Sequence, residues 1–214
     1  MTPARTDLKS LRGVETPCID GFATTGDDFG YPCHNVNLLS RVGISELTSV
    51  QGSGDEELND IWGWTAATGE EITLVGLMSS TAFVDVTDPL NPVFLGSLPA
   101  RGSATYWRDI KTYKDHAYIV SENNNHGLQV IELTQMLNVD LSEGPIIFGE
   151  TYHDDGFGGA HNIAINEDSG FAYIVGSDEC AAGFYMMDLS TPSLPTFAGC
   201  FGEDGYVHDV QCKC

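Results

Sequence analysis

No window of the chain carries a sustained helical period of apolar residues; short runs rich in β-branched and aromatic residues recur instead. The pattern predicts strands over 72–76, 82–86, 117–121, 128–133, 172–176 and 184–189. Clusters of Gly, Asn, Asp and Pro bound these runs, and such residues break regular pairing and turn the chain. That is the strand-and-turn pattern of an all-β protein. Residues 134–142 are expected to add one helical turn inside a loop, and no further helix is expected.

The runs repeat as a unit. Asn59-Asp60-Ile61, Arg108-Asp109-Ile110, His161-Asn162-Ile163 and His208-Asp209-Val210 each open one, at steps of 49, 53 and 47 residues. A strand ending near Val75, Val120 or Val175 follows each of the first three openers. A second strand comes around Val84, Val130 or Met186, and a third at 93–96, 146–149 or 196–199. The link from second to third strand is nearly duplicated: residues 85–96 match 188–199 at an offset of 103. Its paired prolines, Pro89 with Pro92 and Pro192 with Pro195, cannot donate to a ladder and belong in the turn. A β-helix would need a shorter period, and a sandwich would not repeat its motifs. Four short strands in every ~50 residues predict the blades of a partial β-propeller.

Residues 1–40 form a lead-in segment holding Cys18 and Cys33, and 41–214 hold about three complete blades and the start of a fourth. Each blade buries its faces against its neighbours, so so few blades leave two large apolar faces bare and do not close a ring. The polar stretch 1–13 carries no apolar run of a signal peptide, and the chain stops just inside what reads as a new strand. Both ends are expected to be cut from a longer protein.

Composition narrows the partners. Against 9 Lys and Arg stand 31 Asp and Glu, a formal charge of −22 among 214 residues. Nucleic acid and anionic membrane surfaces are disfavoured, because affinity for phosphate comes from clustered cations. No apolar stretch approaches the ~18 residues of a membrane span. The cysteines at 18, 33, 180, 200, 212 and 214 include no Cys-x-x-Cys pair, which favours disulfides and export over a zinc knuckle. Cys18 with Cys33 and Cys180 with Cys200 are the simplest pairings, although six cysteines leave other connectivities open.

With its repeats assembled, the chain resembles the secreted bacterial choice-of-anchor B proteins, whose propeller is built from LVIVD-type repeats. The matching stretches are 59–64, 81–88, 107–111, 126–130, 161–166, 199–201 and 208–212, so the likeness runs from Cys33 to Cys212. Lys213-Cys214 departs from the expected strand continuation. The resemblance implies an exported, surface-associated protein of greater full length, often with a separate C-terminal anchor. It implies no established activity.

The openers place polar residues at equivalent points, leading into the innermost strand at a channel mouth. His161 and His208 stand one repeat step apart, so with Asp109 or Asp209 they form a candidate set for a divalent metal such as calcium or zinc. The competing reading is that the recurring Asp and Asn tie blade to blade by holding backbone N–H groups, which is favoured because they recur where His does not. Asp60, Arg108, Asn162, Trp62 and Trp107 complete the candidate binding residues. The tryptophans, Trp64 included, suit either stacking on sugars or packing between blades.

The acidic Gly-rich loops 154–159 and 202–205 lack the alternating ligands of an EF-hand loop and read as solvated turns. No nucleophile elbow, zinc-protease motif or Cys/His couple is present. The function expected is a secreted or cell-surface module that binds a protein or glycan without catalysis. The alternative is a metal-dependent hydrolase or lyase using His161, His208 and an Asp at the channel mouth, since propellers host both classes.

Overall fold

The computed structural model of the chain describes residues 8–26, 29–49 and 56–212. The lead-in forms a hairpin, β1 (Phe22–Thr24) and β2 (Gly30–Pro32), and one short helix, α1 (Ile44–Leu47). Then come β3 (Leu58–Thr65), β4 (Glu71–Leu77), β5 (Ser80–Asp85) and β6 (Val93–Pro99). Next are β7 (Arg108–Tyr113), β8 (His116–Ser121), β9 (Leu128–Glu132), β10 (Ile146–Ile147) and β11 (Tyr152–Asp154). Last come β12 (Asn162–Asn166), β13 (Phe171–Val175), β14 (Phe184–Asp188) and β15 (Thr196–Phe201). The chain is all-β: beyond the hairpin, three antiparallel sheets follow in sequence order, β3-β4-β5-β6, β7-β8-β9-β11 and β12-β13-β14-β15.

Alternation explains how each sheet is used. Along β8, Ala117 and Ile119 face the first sheet while Tyr118 and Val120 face the third, and all four are fully buried. One core joins the first and second sheets through Leu74, Phe83, Ile110 and Ile131. Another joins the second and third through Val130, Ile163, Ile174 and Met187. A third core sets Leu47 of α1 against Val75, Val84 and Phe94 on the far face of the first sheet. The opening strands lie side by side, β3 against β7 and β7 against β12.

The duplicated link is duplicated in structure. Asp85 Oδ1 accepts from the Thr87 N–H at 2.9 Å, and Asp188 Oδ1 accepts from the Ser190 N–H at 2.7 Å. After each link the ladder slips by one residue, opposite Phe83/Val84 and opposite Met186/Met187. At that bulge Gly96 and Gly199 take φ of 146° and 156°, a region that favours glycine. Both of the simplest disulfides are present, Cys18–Cys33 with Cα atoms 6.0 Å apart and Cys180–Cys200 at 5.4 Å. Cys212 is unbridged among the described residues, and Cys214 lies outside them.

Three expectations need correction. The outer strand of the second sheet is β11, not 146–149: Ile146–Ile147 crosses to the first sheet and pairs in parallel with β6. Gly96 lets it approach, since a Cβ there would strike the Ile146 carbonyl, and Phe148 then buries its ring edge-on to Phe83 at 5.3 Å. The expected helical turn is a 3-10 helix at Leu133–Asn138, but α1 and a second 3-10 turn at Cys180–Ala182 form as well. Residues 206–212 make no strand, and the Val210 N–H donates to the neighbouring Asp209 carboxylate at 2.7 Å.

Candidate functional site

The openers are stitched to one another through their side chains. Asp60 Oδ2 accepts from the Ile110 N–H at 2.7 Å, and Asp109 Oδ2 accepts from the Ile163 N–H at 2.8 Å. The amides of Asn59 and Asn162 donate to the carbonyls of Arg108 and His208, each at 3.0 Å. Each unit thereby holds the entry of the next, the tying role that the recurring Asp and Asn suggested. Asp109 has no oxygen to spare: its Oδ1 accepts from the Ile110 N–H at 3.0 Å and from the Lys111 ammonium. Burial pushes its carboxyl above the usual range, against the pull of Lys111 and the Ile163 N–H.

Arg108 points inward rather than to a ligand. Only 3% exposed, it donates from Nε to the Leu77 carbonyl at 2.7 Å and from Nη2 to the Met78 carbonyl at 3.0 Å. Its Nη1 lies 3.0 Å from Nε2 of His126, a fully buried ring. An arginine only donates, so that nitrogen must accept; the ring is neutral and its Nδ1–H donates to the Gly127 carbonyl at 2.9 Å. Burial, with the Arg108 charge second, pushes His126 down to about 4, and burial lowers Arg108 itself to about 10.

The two candidate histidines do meet. Their ring centroids lie 4.1 Å apart, with Trp107 6.3 Å from His161 and Tyr206 6.3 Å from His208. Glu122 closes the group, its Oε1 2.5 Å from Nδ1 of His161. Trp107 is 56% and Tyr206 58% exposed, so the cluster offers a shelf of aromatic faces and polar edges to solvent.

Asp209 stands exposed beside it, with Oδ1 turned to the Val210 N–H. Glu122 was not legible as a member, because the repeat carries Met78 and Ser177 in its place; the signal for Tyr206 was Tyr106, which stands at the same place before the second opener. Trp62 belongs elsewhere: between β3 and β7 its Nε1 donates to Thr112 Oγ1 at 3.1 Å, with the Lys111 ammonium 4.3 Å from the ring centroid.

Among the described residues, no group of three or more His, Cys, Asp and Glu side chains is arranged to hold a metal ion. In the acidic loop 154–159, Asp154 Oδ1 accepts from the Gly156 N–H at 3.0 Å, and Asp178, from outside the loop, accepts from the Gly158 N–H at 2.8 Å. No described helix is long and apolar enough to cross a membrane. Compared with known proteins, the chain matches no family model and no curated protein.

Proposed function

We propose that the chain is the arc of an exported β-propeller of the choice-of-anchor B kind, and that it binds a glycan or protein at the cell surface without catalysis. The observation that carries the reading is the exposed shelf of Trp107, His161, His208 and Tyr206, backed by Glu122, at the end where the openers meet. Stacked aromatic faces cover the apolar faces of sugars or of partner side chains, while imidazole and carboxylate edges take their hydroxyls and amides. Sheets following in sequence order with their opening strands side by side support the propeller. Two disulfides fit an oxidising compartment.

The test is binding to an array of immobilised oligosaccharides and extracellular protein domains. Trp107→Ala with Tyr206→Ala should weaken the best binder by about tenfold or more, with the fold retained. Retention of full affinity would refute the assignment of the site.

The enzyme reading draws on one observation, the 4.1 Å approach of the two histidine rings. A catalytic zinc takes three protein ligands, and here Glu122 is spent on His161 Nδ1, orienting the ring as a carboxylate orients a ligating histidine. Zinc titration of the protein and its His208→Ala variant separates the readings: saturable binding lost in the variant favours the metal.

A further inference from the structure

Charge sets the ring shelf apart from a plain apolar patch. Trp107, His161, His208 and Tyr206 follow one another at 6.3, 4.1 and 6.3 Å between centroids, inclined at 52°, 56° and 69°. Rings so inclined do not stack face to face, and Trp107 and Tyr206 stay open to solvent. Glu122 stands against them, with Oε1 on His161 and no partner for Oε2 among the described residues. One residue before Trp107, the Tyr106 hydroxyl donates to Glu57 Oε1 at 2.8 Å, and exposed Asp209 follows His208. None of Glu57, Glu122 and Asp209 pairs with a lysine or arginine among the described residues. The opener's own Arg108 is turned inside and committed to Leu77, Met78 and His126.

The backbone holds these rings in place before any ligand arrives. Gly176, at a φ of 61°, leaves room for Tyr206: a Cβ there would lie 2.8 Å from His161 Cβ and 3.1 Å from Tyr206 Cε2. The Val207 N–H, between Tyr206 and His208, donates to the Ala182 carbonyl at 2.9 Å. Groups fixed in this way lose little freedom when a ligand binds.

The molecule already surrounds one cation with the same two elements. The Lys111 ammonium lies 4.3 Å from the Trp62 ring centroid and pairs with the Asp109 carboxylate. An aromatic face attracts a cation through its quadrupole, and indole does so best.

We infer that the shelf takes a quaternary ammonium group, its methyls against the rings of Trp107 and Tyr206 and its charge facing Glu122. The inference rests on the proposed ligand shelf and names the chemistry that the shelf recognises. A primary ammonium asks for an acceptor for each of its three N–H groups. An alkylated one spreads its charge over methyl groups that need ring faces instead, which is what the shelf supplies. The formal charge of −22 draws cations toward the surface as a whole.

The test is titration of the whole chain with choline and with neohexanol, its uncharged carbon isostere, followed by the methyl proton signal of each ligand. Choline should bind about tenfold or more tightly than neohexanol. Trp107→Ala should weaken choline about tenfold, and Glu122→Gln about threefold. Equal binding of the two ligands, or none of choline, would overturn the inference. Choline binding that Trp107→Ala leaves intact is diffuse attraction by the acidic chain and overturns it too. Ethanolamine, a primary ammonium, should bind more weakly than choline, and tighter binding would overturn the quaternary class.

The ligand comparisons use the unaltered chain, so they decide even where a variant does not fold. Oligosaccharide and protein binding is read with the same variants. Such binding lost in Trp107→Ala while choline stays unbound overturns the cation and keeps the shelf. Choline held at Trp107 with no oligosaccharide or protein bound supports the cation and refutes the glycan or protein reading.

Discussion

Acid should loosen the protein from the inside, at His126. This ring is fully buried and accepts from the Arg108 guanidinium at 3.0 Å, so its protonation would set two cations against each other without water between them. Its pKa falls from the ordinary 6.5 to about 4 in the fold. The unfolded chain takes up its proton as pH drops through 6.5, whereas the folded chain resists until about 4. The stabilisation is therefore complete above the unfolded value and is lost between 6.5 and 4. Linkage over that interval amounts to about 2 kcal/mol already at about pH 5, and about 3 kcal/mol when complete.

The assay is urea unfolding followed by tryptophan fluorescence at about pH 7.5, 6 and 5, on the protein and its His126→Gln variant. The glutamine oxygen still accepts from Arg108 but does not titrate. Glu46 and Glu150, held below the usual carboxylate range by Arg12 and Arg101 against the effect of burial, lose stability in the same direction. Their contribution is common to both proteins and cancels in the difference. Between about pH 7.5 and 5 the protein should lose about 2 kcal/mol more than the variant. Parallel pH curves would refute the reasoning.

Asp109→Ala should cost about 3 kcal/mol in the same unfolding assay, because it strips a buried acceptor from the Ile110 and Ile163 N–H groups and from Lys111. Asp60→Ala, which strips only the Ile110 N–H at a half-buried site, should cost about 1 kcal/mol. Gly96→Ala should cost more than about 2 kcal/mol and speed amide exchange at Ile147 and Phe148, since its Cβ drives the Ile146 carbonyl out of the sheet. Of the six cysteines, four lie in bridges, so denaturation without reductant should expose no more than two thiols to titration; a higher count contradicts the pairing.

The sequence by itself determined what short-range chemistry controls. Two-residue alternation and turn residues placed β4, β5, β8, β9, β13 and β14, and the duplicated link with its paired prolines marked its own turn in both copies. Recurrence of Asp and Asn at every opener pointed to their tying role, because a group that serves each interface must appear in each unit. Long-range packing decided the rest.

Arg108 reads as a candidate binding residue in a polar opener, yet the carbonyls of Leu77 and Met78 and the ring of His126 converge to hold it inside. Ile146–Ile147 has the residues of an outer strand in either sheet, and the side-chain-free backbone at Gly96 draws it to the first. Glu122 joins the histidines from a position where the other units carry Met78 and Ser177, so no periodicity announces it. A repeat can be read because it is written several times. A contact made once, between residues far apart in the chain, exists only when the sheets pack and bring its partners within hydrogen-bond or ring-contact distance.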